Sequence, residues 1–182
     1  MTDPAKITQR VTLSLAAALG VAACSTVPMA ETETLGSAVL LDTSGAPRGE
    51  ARLLAVGDRT ELSVTVEGLS PGEHGFHLHT TGCCTLPDFT SAGGHLNPSD
   101  EGHGLLDDDG NHLGDLPNLT ARTNGTASTQ VPIGGSRSYI LEQVFDADGT
   151  AVVIHANADD GRTDPSGDAG SRVRCGVLEP TS

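Results

Sequence analysis

Glu50-Ala-Arg-Leu-Leu-Ala-Val-Gly57-Asp58-Arg-Thr-Glu61-Leu-Ser-Val-Thr-Val-Glu67 contains two runs of alternating apolar residues on either side of a Gly-Asp pair. Side chains two apart share one face of an extended chain, so this period predicts strands over Glu50–Val56 and Glu61–Glu67, with Gly57-Asp58 as the turn between antiparallel partners. The pattern continues upstream at Ser37–Leu41 and downstream at Gly75–His79, punctuated by Thr43-Ser-Gly-Ala-Pro47 and Leu69-Ser-Pro-Gly72. It returns at Asp115–Arg122, Thr126–Pro132, Ala151–His155 and Arg174–Leu178, with Asn124-Gly125 as a strong hairpin signal between the first two. About eight strands in Greek-key order, as a flattened barrel or an immunoglobulin-like sandwich, make the expected fold all-β. No repeat is visible, and no stretch after the N-terminal segment reads as a convincing amphipathic helix.

The rest of the composition agrees. Among 182 residues there is no Trp, one Tyr and three Phe, so the core is built from Val, Leu, Ile and Ala, while 23 Gly and 10 Pro separate short apolar runs. The first 23 residues stand apart. A basic-flanked Met1–Arg10 precedes the apolar run Val11–Ala23, which is too short to span a bilayer and reads as the core of an export signal. The run closes on Val21-Ala22-Ala23-Cys24, which resembles the lipobox of bacterial lipoproteins and implies cleavage before Cys24 and acylation of its sulfur. Ser25 resembles the outer-membrane sorting pattern. The expected organisation is a signal over residues 1–23, a flexible tether over 24–34 and one domain over 35–182, held on the periplasmic side of the cell envelope by its lipid.

Losing Asp3, Lys6 and Arg10 with the signal takes the formal charge from -14 to -15 and leaves a domain with no Lys. Such a chain is no partner for nucleic acid. Export places Cys83, Cys84 and Cys175 where disulfides persist, and since sequence neighbours rarely bond each other, one of the first two pairs with Cys175. Asn118-Leu-Thr and Asn124-Gly-Thr match glycosylation sequons but read as turn and strand chemistry.

All seven histidines lie between positions 74 and 155. His77 and His79 are two apart on a strand, so both imidazoles face one side and can grip one ion. His155 closes the apolar strand Val152-Val-Ile-His155 and completes an all-imidazole set that suits copper. Residues 80–114 show no sustained period, and a stretch of that length inside a compact domain is usually functional. This stretch carries His95, His103 and His112, and Asp115 follows. Three imidazoles and one carboxylate make the closed tetrahedral shell that structural zinc prefers.

Gly75-Phe-His-Leu-His79, Ser91-Ala-Gly-Gly-His95-Leu-Asn-Pro98, His112-Leu-Gly-Asp115, Val152–His155 and Ala169-Gly-Ser-Arg-Val-Arg-Cys-Gly176 together resemble the copper/zinc superoxide dismutases, in order and at family spacing. Leu78-His-Thr-Thr-Gly-Cys-Cys-Thr85 and Phe145–His155 are most similar to the bacterial exported branch. The resemblance implies dismutation of superoxide, with copper on His77, His79, His95 and His155, and zinc on His95, His103, His112 and Asp115. His95 would bridge the ions as an imidazolate and take part in catalysis. Asp159 would link a copper-ligand histidine to a zinc-ligand histidine, Arg172 would attract and position the anion, and His74 would be structural. Cys84 would pair with Cys175, leaving Cys83 as a departure from the family pattern. Without Lys, any further steering falls to Arg162 or Arg174, which otherwise read as ordinary surface charges. The resemblance leaves monomer and homodimer both open. A lipid-anchored metal store would need the same histidines but neither Arg172 nor Asp159, and a non-catalytic domain on this fold would show eroded ligands.

Overall fold

A computed structural model describes residues 31–108 and 110–181. Cys24 and the expected signal lie outside the described residues. Among the described residues, ten strands and one short α-helix follow in chain order, with a single 3-10 turn at Thr90–Ala92: β1 Thr32–Asp42, β2 Pro47–Val56, β3 Arg59–Val66, β4 Gly72–His74, β5 Phe76–His79, β6 Leu119–Ala121, β7 Ala127–Ile133, α1 Arg137–Val144, β8 Ala151–His155, β9 Arg172–Val177 and β10 Glu179–Pro180. The main sheet runs β5-β8-β9-β1-β2-β3-β7 with β10 beside β1, and β4 pairs with β6 in a separate ribbon. The strand order is not sequential, since β8 and β9 return to stand between β5 and β1, as a Greek key requires. The sheet curls around a core of Leu40, Leu53, Leu62, Phe76, Leu78, Leu119 and Ile154, all inaccessible to solvent.

The quoted hairpin forms in the register its alternation demands, with Leu53 opposite Leu62 and Ala51 opposite Val64, so matched apolar residues face the core together. β7 contains Pro132, which is tolerated because β7 ends the sheet and needs no further ladder bond there. At the other end, β5 is covered by the long loop over residues 80–118. The Leu78 N–H donates to the Gly114 carbonyl at 3.0 Å, and the Leu78 carbonyl accepts from the Leu96 N–H at 2.8 Å.

Four expectations need correction. β1 begins at Thr32, inside the expected tether, because Thr32–Thr34 pair with Leu54–Val56; their exposed side chains hid a strand in a composition suited to a linker. The expected strand over Asp115–Arg122 shortens to Leu119–Ala121, Pro117 being unable to extend a ladder. The expected strand over Gly75–His79 begins at Phe76, since Gly75 lies between β4 and β5. A helix also forms where none was expected. It is capped by Ser136, whose hydroxyl accepts from the Tyr139 N–H at 3.3 Å, and only Ile140 and Val144 of its eight residues are fully buried, too little for a readable stripe.

A disulfide joins Cys84 in the long loop to Cys175 in β9, across a sequence separation of 91. Cys175 lies in a second apolar cluster with Phe89, Ala92, Ala151 and Val153, so the bond fastens residues 84–92 against the sheet. Cys83 is the free thiol and is partly exposed. For a closed segment of 91 positions the chain-entropy contribution is about 4.6 kcal/mol before strain. Cys175→Ser is therefore expected to lower the unfolding free energy by several kcal/mol and Cys83→Ser by very little; equal losses for the two in denaturant titrations would refute the assigned roles.

Candidate metal centre

Two sets of donors meet beside the edge strand β5 and its antiparallel neighbour β8. His77 and His79 come from β5 and His155 from the end of β8, one strand away. His95 is brought to them by a backbone bridge to His79, and Asp115 by a bridge to His77. One group consists of His77, His79, His95 and His155, the other of His95, His103, His112 and Asp115, with donor atoms within 4.8 Å of one another in each. All seven residues are buried. The structure thus brings together every residue that the sequence assigned to a metal, and His95 belongs to both groups.

Hydrogen bonding decides which nitrogen of each ring carries a lone pair. His79 Nδ1–H donates to the Gly93 carbonyl at 3.0 Å, His155 Nδ1–H to the Gly170 carbonyl at 3.1 Å and His77 Nε2–H to Asp159 Oδ2 at 2.6 Å. A neutral imidazole has one proton, so these contacts leave His79 Nε2, His155 Nε2 and His77 Nδ1 as bare acceptors. Together with His95 Nε2, they are buried and have no hydrogen-bond partner among the described residues. Four orphaned nitrogens would be costly in a protein interior. One ion accepting all four lone pairs removes that cost, and an all-imidazole set suits copper.

The second set has a different chemistry. Asp115 Oδ1 lies 2.8 Å from His95 Nδ1 and 3.1 Å from the Nδ1 atoms of His103 and His112. One oxygen cannot accept three full hydrogen bonds at once, whereas three nitrogens and an oxygen at such spacing fit a tetrahedral ion with bonds of about 2.0–2.2 Å. Asp115 Oδ2 is held separately, by the backbone N–H groups of Gly104 and His112 at 2.9 and 3.1 Å.

The charge state of these groups suits ligands, which must be deprotonated. Burial, with His95 nearby, pushes His79 down to about 2. Burial, with His77 nearby, pushes His155 to about 3. Burial lowers His95 to about 4 even though Asp115 pulls the other way. For Asp115, burial acts upward but is outweighed by hydrogen bonds from His95 and Gly104, which bring it to about 2. At neutral pH the three imidazoles are uncharged and Asp115 is a carboxylate.

Asp159 ties the two sets together. While its Oδ2 accepts from His77, its Oδ1 accepts from His103 Nε2–H at 3.1 Å and from the Gly161 N–H at 2.6 Å. Burial acts to raise its pKa, but bonds from His77, Gly161 and His103 hold it well below the usual carboxylate range. Gly167 has φ +63°, and a Cβ there would lie 1.9 Å from Asp159 Oδ1, so only glycine leaves room for this contact. Asn118, read from sequence as turn and strand chemistry, instead clasps the Asp159 backbone: its Nδ2 donates to the Asp159 carbonyl and its Oδ1 accepts the Asp159 N–H, each at 2.8 Å.

Arg172 lies across from His155 in β9. Its Nη1 donates to the Phe89 carbonyl at 2.7 Å and its Nη2 to the Gly93 carbonyl at 2.6 Å, so Gly93 serves both Arg172 and His79. Arg172, His79, His95, His155, Pro165 and Ser166 line a cavity of about 360 Å³. Burial lowers the Arg172 pKa, opposed by Asp88, yet a guanidinium remains charged. The carbonyls of Phe89, Gly93 and Gly170 could not be found from sequence, because any residue type supplies one. Arg162 is exposed, as expected, but Arg174 is buried. Arg174 donates to the carbonyls of Val173, Glu67 and Gly68 at 2.6–3.0 Å and is a structural brace, not a surface charge. His74 is structural too, with Nδ1 2.7 Å from the His155 carbonyl.

Comparison with known proteins gives a consistent result. A family model described as copper/zinc superoxide dismutase (SODC) matches residues 48–178. A Caulobacter vibrioides protein named as a Cu-Zn superoxide dismutase is 40% identical over 177 residues, covering 93% of this chain and 99% of that protein. The crystal structure of a SOD-like protein from Bacillus subtilis aligns with a TM-score of 0.72 at 34% identity, covering 79% of this chain and 97% of the other. The Cu/Zn superoxide dismutase from Brucella abortus aligns with a TM-score of 0.65 at 26% identity, covering 82% and 100%.

With copper in the first set and zinc in the second, His95→Ala is expected to deplete both metals and His112→Ala chiefly zinc. Elemental analysis of the purified variants measures this, and full zinc occupancy without His95 would break the sharing of that ring.

Proposed function

The chain belongs to the copper/zinc superoxide dismutase family, and from that premise we propose how its residues divide the work of dismuting superoxide and where in the cell they do it. The observation that carries the assignment is the convergence of four imidazole nitrogens, partnerless among the described residues, with three of their rings lining a cavity together with Arg172. His77, His79, His95 and His155 would hold copper, and His95, His103, His112 and Asp115 zinc. Copper supplies one-electron chemistry that redox-inert zinc lacks, so that two superoxide anions and two protons become oxygen and hydrogen peroxide.

Arg172 draws the anion down the cavity and orients it, its guanidinium aimed by the Phe89 and Gly93 carbonyls. His79 and His155 keep their lone pairs pointed inward because Gly93 and Gly170 hold their protons. His95 has a ring nitrogen in each set, so it would serve both ions as the imidazolate, and its Nε2 is the atom on this chain that could hold a proton for peroxide. Asp159 fixes the ring planes of His77 and His103 at once, which keeps both sets in register. A metal store needs neither that coupling nor a cation at the mouth, and a non-catalytic domain does not need the complete donor set present here.

The lipobox-like run ending at Cys24 supports acylation of that sulfur and residence on the periplasmic side of the envelope, through a lipid in the membrane, as the composition and the cysteine usage also favour. Assembly as a homodimer is compatible with this reading.

Two measurements test these readings. Arg172→Glu is expected to lower the rate constant at least tenfold, about 1.4 kcal/mol in activation free energy, without loss of copper. Added salt should slow the wild type and speed this variant, since screening weakens attraction in one and repulsion in the other; a variant with wild-type rate and salt slope would remove the steering role. Cys24→Ser should move the protein from the membrane fraction to the soluble periplasm at unchanged specific activity, whereas a wild type already soluble would argue for plain secretion.

A further inference from the structure

His103 is gripped at two points by one loop. Its ring Nε2–H donates to Asp159, and its backbone N–H donates to Asp164 Oδ1 at 2.8 Å, across 61 positions. Between these contacts the two loops touch main chain to main chain. The Leu106 N–H donates to the Gly161 carbonyl at 3.1 Å, and a Cβ on Gly104, at φ +113°, would fall 2.0 Å from that same carbonyl. At Gly104 the two main chains meet with no side chain between them, and the Leu106 side chain packs over Gly161, so displacement of one loop is passed to the other.

The loop over residues 159–167 is also internally braced. Asp160 accepts from the N–H groups of Arg162 and Thr163 and from the Thr163 hydroxyl, and the Thr163 carbonyl accepts from the Ser166 and Gly167 N–H groups. It therefore moves as one piece. Pro165 and Ser166, directly after Asp164, line the cavity that Arg172 guards.

A carboxylate next in sequence to the cavity-lining Pro165 is a puzzle on charge alone, since its field opposes an incoming anion. Its acceptor function resolves the puzzle. We propose that Asp164 is a positioning residue, which couples the placement of His103 in the zinc set to the shape of the cavity mouth. The inference rests on the metal assignment given under the proposed function. When His103 is fixed by its ion, its N–H holds Asp164, and with it Pro165 and Ser166; when His103 is free, that restraint on the mouth weakens. Acceptor and charge are separable, because asparagine keeps an oxygen for the His103 N–H while removing the negative charge.

The test compares wild type, Asp164→Ala and Asp164→Asn after loading with copper and zinc. Zinc retention against a chelator is expected to fall about tenfold in Asp164→Ala, the lower end for loss of an outer contact to a metal ligand, and to stay near wild type in Asp164→Asn. Amide exchange at His103 and over residues 161–167 should be slower in zinc-loaded wild type than in zinc-free wild type, a difference lost in Asp164→Ala and kept in Asp164→Asn. Superoxide capture by Asp164→Asn should be faster than wild type at low salt, the gap closing as the Debye length shortens. Wild-type zinc retention in Asp164→Ala would overturn the proposal, as would equal zinc loss in both variants, or exchange at 161–167 in wild type that ignores zinc. A wild type that takes up no zinc would overturn the metal assignment itself.

Discussion

A buried imidazole has two nitrogens and, when neutral, one proton, and most of this structure follows from where those protons are placed. His77, His79 and His155 must each donate their N–H to a fixed acceptor so that their lone pairs point toward one another and toward His95. Those acceptors are Gly93, Gly170 and Asp159, none of them on the strands that carry His77, His79 and His155. Two long loops must therefore fold back over one end of the sheet. The disulfide fastens one of them, Asn118 and the Gly167 gap place Asp159 in the other, and the bond from His103 to Asp159 ties the two together.

The fold was legible in the sequence wherever one face of a strand is wet and the other dry. Arg59–Val66 alternates cleanly for that reason, and so does Ser37–Leu41. β1 was read too short because Thr32–Thr34 are exposed and leave no apolar signature. Helix α1 escaped notice because two buried residues do not make a stripe. The metal donors were legible because histidine is uncommon and its spacings matched strands and one loop. Of their acceptors only Asp159 was, through the family resemblance; the backbone carbonyls of Gly93 and Gly170 carry no sequence signal, and Asn118 and Asp164 act through side-chain atoms whose partners lie 41 and 61 positions away. Arg174 was misread because a charged residue in an alternating strand is assigned to water by default, whereas here the carbonyls of Glu67 and Gly68 receive it.

An acidic chain that turns over an anion invites the objection that it repels its own substrate. Range settles the matter. Charges spread over the surface are screened over about 8 Å at physiological salt, while Arg172 is half-buried at the cavity wall, where screening is weaker. The acids of the loop over residues 159–167 are kept where their oxygens are needed: Asp159 and Asp164 accept from His77 and His103, and Asp160 caps the turn between them.

The way the long loop lies against β5 has a consequence beyond chemistry. β5 is the last strand of the main sheet, and the main-chain groups of Leu78 that would face water are taken by Gly114 and Leu96. Those two residues flank metal donors: Leu96 follows His95, and Gly114 precedes Asp115. The same segment that supplies ligands thus serves as the cover of an open sheet edge. Were that segment to loosen, it would uncover main-chain groups able to pair with a strand of another molecule, so the residues that carry the donors also close the edge of the sheet.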